Sequence, residues 1–121
     1  MDETNAVKKR IDALSGESLG TSSLGKGNAH PTENTEYIIS HKEVAIPLLL
    51  DALKDEKEPM KIGYAAYILR RLASDEGIGT ATNVYKRLSA RGPDISLEER
   101  FAMGELMEYL QRVSSKAGSP H

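Results

Sequence analysis

Apolar positions in this chain gather into runs of helical period separated by polar stretches, and the densest runs lie between Val44 and Ala73. The first, Ala45, Ile46, Leu48, Leu49, Leu50 and Leu53, is too apolar for a surface helix and too short to cross a bilayer. It must be covered by protein. In the second, Ile62, Ala65, Ala66, Leu69, Leu72 and Ala73 recur at helical spacing, while Met60, Tyr64, Tyr67, Ile68 and Arg71 form another stripe along the same cylinder. Between the runs, Asp51 to Pro59 is charged and therefore wet, and Pro59 suits the first turn of a new helix, where its missing N–H costs nothing. The pattern predicts two helices folded back on each other as an antiparallel pair. Ser40 and Glu43 have the spacing of a capping box, which would start the first helix there and leave Pro47 inside it as a bend. The alternative is a helix that begins at Pro47.

The remaining runs are shorter. Ala6, Val7, Ile11 and Leu14 predict an amphipathic helix capped by Thr4 or Asn5 and closed by Gly16, with Lys8, Lys9 and Arg10 on a solvated face. Ser15 to Asn34 is rich in glycine and serine and reads as a long loop or a disordered linker. Thr32 to Ile39 fits a short helix with Thr32 as its cap, since a lone strand would have no mate. The glycines of Ser74 to Gly79 end the second central helix, and Thr80 opens another along which Ala81, Val84, Tyr85 and Leu88 line one side up to Gly92-Pro93. Ser96 and Glu99 make a second capping box before a stripe of Phe101, Met103, Leu106, Met107, Leu110 and Val113. The expected organisation is an N-terminal helix and flexible loop over 1–34, a helical domain over 35–114 and a disordered tail over 115–121.

Within the central pair, Ala45-Ile46-Pro47 with Leu49, then Leu53 and Asp55, then the basic Lys61 and the small pair Ala65-Ala66 before Leu69, resembles one HEAT-like repeat, the helical hairpin of α-solenoids. Lys61 stands where arginine is common, and Gly63, Tyr64 and Tyr67 stand where small or aliphatic residues often occur. Arg100, Phe101 and Gly104 occupy places similar to Lys61, Ile62 and Ala65, which makes the second hairpin a degenerate copy. The resemblance implies an all-α fold, a short HEAT-like array of antiparallel hairpins carrying the N-terminal helix and the Gly/Ser-rich loop. It also implies that second helices line an inner surface, so Met60, Tyr64, Tyr67, Ile68 and Arg71 become the candidate partner-binding residues; tyrosine and arginine are enriched at binding hot spots. The competing reading has Tyr64, Tyr67 and Ile68 touching the N-terminal helix, or Phe101 and Met107, within the core.

Composition narrows the function classes. The 121 residues make one domain with a net charge of −2 and a pI near 5.9, so there is no overall positive field for nucleic acid. No cysteine is present for disulfides, thiol catalysis or zinc ligation, and the acidic N-terminus carries no apolar signal segment, which makes the cytoplasm the expected location. Gly20 to Gly27 approaches the phosphate-binding GxxxxGK[ST] loop, but Gly27 stands where magnesium needs a hydroxyl and no β-run precedes Gly20. The carboxylates Asp51, Asp55, Glu56 and Glu58 alternate with lysines in one wet turn, His30, His41 and His121 are scattered, and no GxSxG sequence occurs. Enzyme, cofactor and metal are therefore not expected. The reading is a protein-interaction module that presents a rigid helical face to another protein, with no nucleic acid or membrane partner and with pairing of two copies through the same face open. The alternative is a small acidic inhibitory or immunity-type subunit that meets a basic cleft through Asp51 to Glu58.

Overall fold

The computed structural model describes residues 3–17, 29–55 and 57–117, the last four as backbone. These residues are all-helical, without a strand among them. In order they form α1 (Glu3–Asp12), a 3-10 turn (Ala13–Gly16), α2 (Glu33–Ser40), α3 (Lys42–Leu53), α4 (Pro59–Arg71), α5 (Ile78–Ser89) and α6 (Leu97–Ala117). The near match to a phosphate-binding loop at Gly20 to Gly27 lies outside the described residues.

Local chemistry sets most of the helix ends. Thr32 caps α2 by accepting from the Thr35 backbone N–H at 3.1 Å while the Thr35 hydroxyl accepts from the Thr32 N–H at 2.8 Å. Ser96 and Glu99 form the expected box at α6, with Ser96 N–H to Glu99 Oε1 at 2.9 Å and Glu99 N–H to Ser96 Oγ at 3.1 Å. Pro59 opens α4. Ser40 behaves differently from its expected role as the cap of α3. It is the last residue of α2, its hydroxyl donates to the Tyr37 carbonyl at 2.7 Å, and α3 starts after His41 with no side-chain cap and runs through Pro47. The end of α4 also departs from expectation, because the turn is made before the glycines. Ala73 sits in the left-handed region at φ 55, with Ala73 N–H on the Arg70 carbonyl at 3.0 Å and Ser74 N–H on the Leu69 carbonyl at 3.1 Å. This is a Schellman ending with alanine where glycine is usual.

One apolar cluster holds the fold together, drawing Val7, Ile11 and Leu14 from the N-terminal segment, Ile38 from α2, Leu49 and Leu53 from α3, most of α4, and Leu106, Tyr109 and Val113 from α6. The packing has a regular order: α1 lies against α3 and α3 against α5, while α2 lies against α4 and α4 against α6. Helix α4 is central, with α3 and α6 as neighbours and with α2 and the 3-10 turn also packed on it. From Ile62 to Leu69 every residue is buried. At Gly63 the α6 ring of Phe101 comes so close that a Cβ would stand 2.3 Å from Phe101 Cε2. The approach of α4 to α6 depends on the missing side chain.

Candidate functional site

Residues of the second stripe on α4 divide sharply. Tyr64 and Ile68 have no exposed surface, and Met60 and Tyr67 retain 9% and 6%. They are core residues here, and a partner approaching the folded chain does not meet them as a face. The physical reason is coverage: the 3-10 turn brings Leu14 onto α4, and Ala29 and His30 lie over the seam between α4 and α6. Arg71 alone of the stripe reaches the surface. Its guanidinium makes a two-pronged pair with Glu36 of α2, including Nη2 to Oε1 at 3.2 Å, and Nη1 also donates to the Tyr67 hydroxyl at 3.3 Å. The Arg71 bond holds the Glu36 carboxyl below its ordinary range.

Arg70 turns the other way, as adjacent helix residues must. Its Nη2 donates to Glu105 Oε1 of α6 at 3.4 Å, and its guanidinium stands 5.4 Å from the centre of the Tyr67 ring. The two arginines thus tie α4 to α2 on one side and to α6 on the other, and Glu108 and Arg112 of α6 add an exposed pair one turn apart at 2.7 Å. Charges of both signs line the outer edge of α2, α4 and α6.

Behind this edge is a buried polar cluster. Glu105 is 7% exposed, and burial raises its pKa, opposed by the Ala29 N–H at 3.2 Å and by Arg70. Tyr64 is hydrogen-bonded to the His30 backbone, its ring meets the His30 ring edge-on at 6.4 Å, and burial pushes its pKa up to about 12. Arg70 Nε is buried without a hydrogen-bond partner. Glu17 accepts from the Thr32 hydroxyl at 2.9 Å and from Asn34 Nδ2 at 2.8 Å, pinning the start of the long connection beside its end.

Sequence reasoning missed Glu105, Tyr109 and the roles of Arg70 and Glu36. A signal existed for two of them, because Glu105 and Tyr109 are four apart and in line with Phe101 on the buried side of α6. Tyr109 donates to the Ser74 carbonyl at 2.7 Å and accepts from the Gly77 N–H at 3.1 Å, fastening the turn before α5 to α6. Met103, Met107 and Leu110, expected in the stripe, are only half-buried. The acidic turn is partly neutralised within the chain: Asp55 accepts from Lys61 Nζ at 2.9 Å, and this bond lowers its pKa. Among the described residues no three His, Asp or Glu side chains are grouped as metal ligands, and no helix is long and apolar enough to cross a membrane. Comparison with family models, curated proteins and solved structures found no match.

Proposed function

We propose that this chain is a non-enzymatic, cytoplasmic protein-binding module built as a short HEAT-like array of three antiparallel hairpins, α1/α2, α3/α4 and α5/α6. The single observation that supports it is the packing order, first helices on first helices and second helices on second helices, which is the relation stacked hairpins have. On this reading α1 and α2, with the long connection between them, act as a third hairpin of the array. In such an array the row α2, α4 and α6 faces the partner. The accessible groups on that row are Glu36, Arg71, Arg70, Glu108 and Arg112, a charged border in which Arg71–Glu36 and Arg70–Glu105 join neighbouring helices and Glu108–Arg112 pairs within α6. Another protein with a complementary charge pattern is the partner class.

The test is affinity capture from host lysate at low and high salt with the unaltered chain and with Arg71→Glu. Reversing this charge sets two carboxylates against each other at the α2–α4 edge while leaving the core intact. Capture is expected to fall by about ten-fold or more in the variant, with helicity retained. Equal capture by the two chains would remove this face from the account.

A further inference from the structure

Ala29 to Pro31 has no helical structure, yet it is seated on the α4–α6 seam as a ligand would be. Its contacts are those of an extended backbone on side-chain receptors: the Ala29 N–H meets the Glu105 carboxylate at 3.2 Å, the His30 backbone bonds to Tyr64, and the His30 ring stands edge-on to the Tyr64 ring. The seat is imperfectly filled, because Arg70 Nε remains buried and unbonded beside it. Buried donors are nearly always met in folded proteins. We propose that the seam floored by Tyr64, Arg70 and Glu105 is a groove for an extended peptide segment of a partner protein, and that Ala29 to Pro31 is its resident competitor. This deepens the binding-module reading and rests on it.

The strap itself indicates what the groove accepts. A small residue offers its N–H to Glu105, as Ala29 does with its methyl packed against the core. A ring-bearing residue follows over Tyr64, and then proline, which keeps the preceding residue extended. A partner segment that also places a carbonyl on Arg70 Nε meets the donor the strap leaves unmet, an advantage of about ten-fold over a segment that does not. Displacement is intramolecular exchange, so the partner must overcome the high effective concentration of a tethered competitor.

The experiment is fluorescence anisotropy with a labelled peptide of residues 28–34, NAHPTEN, titrated with the full chain and with the full chain carrying Ala29→Pro and His30→Gly. Those changes remove the strap's N–H donor and its ring. The altered chain is expected to bind the peptide at least about ten-fold more tightly than the unaltered chain, and a peptide N-methylated at its alanine is expected to lose about ten-fold. No binding by an altered chain that still melts cooperatively, or equal binding by both chains, would overturn the proposal. Should the altered chain fail to fold, amide spectra of the unaltered chain with millimolar peptide decide. Ala29 and His30 signals that move while Ala65 and Ala66 stay support the groove, and unmoved signals overturn it. Concentration-dependent dimerisation with exchanged straps would assign the groove to a second copy and overturn the partner peptide. A chain that loses lysate capture on Arg71→Glu yet ignores the peptide would keep the binding face and discard the strap.

Discussion

The α4–α6 seam and the α1–α2 end of the molecule are held by different physics. At the seam, Gly63 lets Phe101 in, Ala65, Ala66 and Leu69 have no exposed surface, and the aromatic rings of Tyr64 and Phe101 lie 5.4 Å apart. Each large side chain wholly removed from water contributes on the order of 2 kcal/mol. At the other end, Val7 and Ile11 reach the core, but much of what joins α1 to α2 is polar. Arg10 lies 4.6 Å from the centre of the Tyr37 ring and donates to Asn34 at 3.1 Å, His41 Nε2 at the end of α2 lies 3.9 Å from Glu3 Oε2, and Glu17 bridges Thr32 and Asn34. Such contacts at a wet surface are worth a fraction of their strength in a dry interior. The comparison teaches that the covering of α4 is asymmetric: dry and closely packed on its α3 and α6 sides, and partly polar on the side of α1 and α2.

The strongest way to break the comparison is Tyr64→Glu. A carboxylate in the dry centre of the seam is expected to cost on the order of 4 kcal/mol and to abolish the cooperative thermal transition, whereas a surface tyrosine would tolerate it. A native-like melt for this variant would return Tyr64 to the surface. Next in size is Gly63→Ala. The new methyl must push the buried Phe101 ring, and after the helix-propensity gain of about 1 kcal/mol the net loss is expected at roughly 1–2 kcal/mol, read as a lower urea midpoint. Arg10→Ala probes the other end and is expected to cost about 0.5–1 kcal/mol, diminishing with added salt.

Acid sharpens the contrast further, with the smallest effect. Glu36, Asp55 and Glu99 have lowered pKa values in the fold, from the Arg71, Lys61 and Ser96 hydrogen bonds respectively, so their contribution is complete above the unfolded carboxylate range and fades as pH falls through the folded values. Glu105 has the opposite sign. Burial raises its pKa, so the folded chain takes up this proton before the unfolded one does, and acidification relieves a penalty. Glu105→Gln removes that relief. Its loss of stability between pH 7 and pH 3 is expected to be steeper than that of the unaltered chain; a shallower loss would mean that Glu105 is not penalised by burial.

What was legible in the sequence was whatever short-range chemistry decides. Pro59 at a helix start, Thr32 as a cap and the Ser96–Glu99 box are settled within four residues, and the all-helical class follows from period. Ser40 was ambiguous because the same hydroxyl can close α2 or open α3, and the Tyr37 carbonyl won. The end of α4 was misplaced because an alanine adopts the left-handed conformation that the nearby glycines advertise. The stripe Met60, Tyr64, Tyr67, Ile68 and Arg71 illustrates the larger difficulty. A helix with two apolar stripes needs two covers, and the second cover of α4 comes from Leu14, at the end of the first predicted helix, and from Ala29 and His30, in a region whose composition reads as loop, all of them far from α4 in sequence. Only Arg71 of that stripe remains available to a partner. The polar cluster beneath, with Glu105 on the buried side of α6, is legible only once Tyr109 is placed in the same line.

Native-state hydrogen exchange on the unaltered full chain tests the account most directly, because it reads the seam and the strap in one sample. Amides of Ala65 to Leu69 in α4 are expected to exchange only through global unfolding, and the Ala29 amide, hydrogen-bonded to Glu105, to exchange at least about 100-fold faster through local opening that leaves α4 protected. Equal protection of Ala29 and α4 would contradict the account, since the strap would then be a fixed part of the core and the groove beneath it closed to any partner.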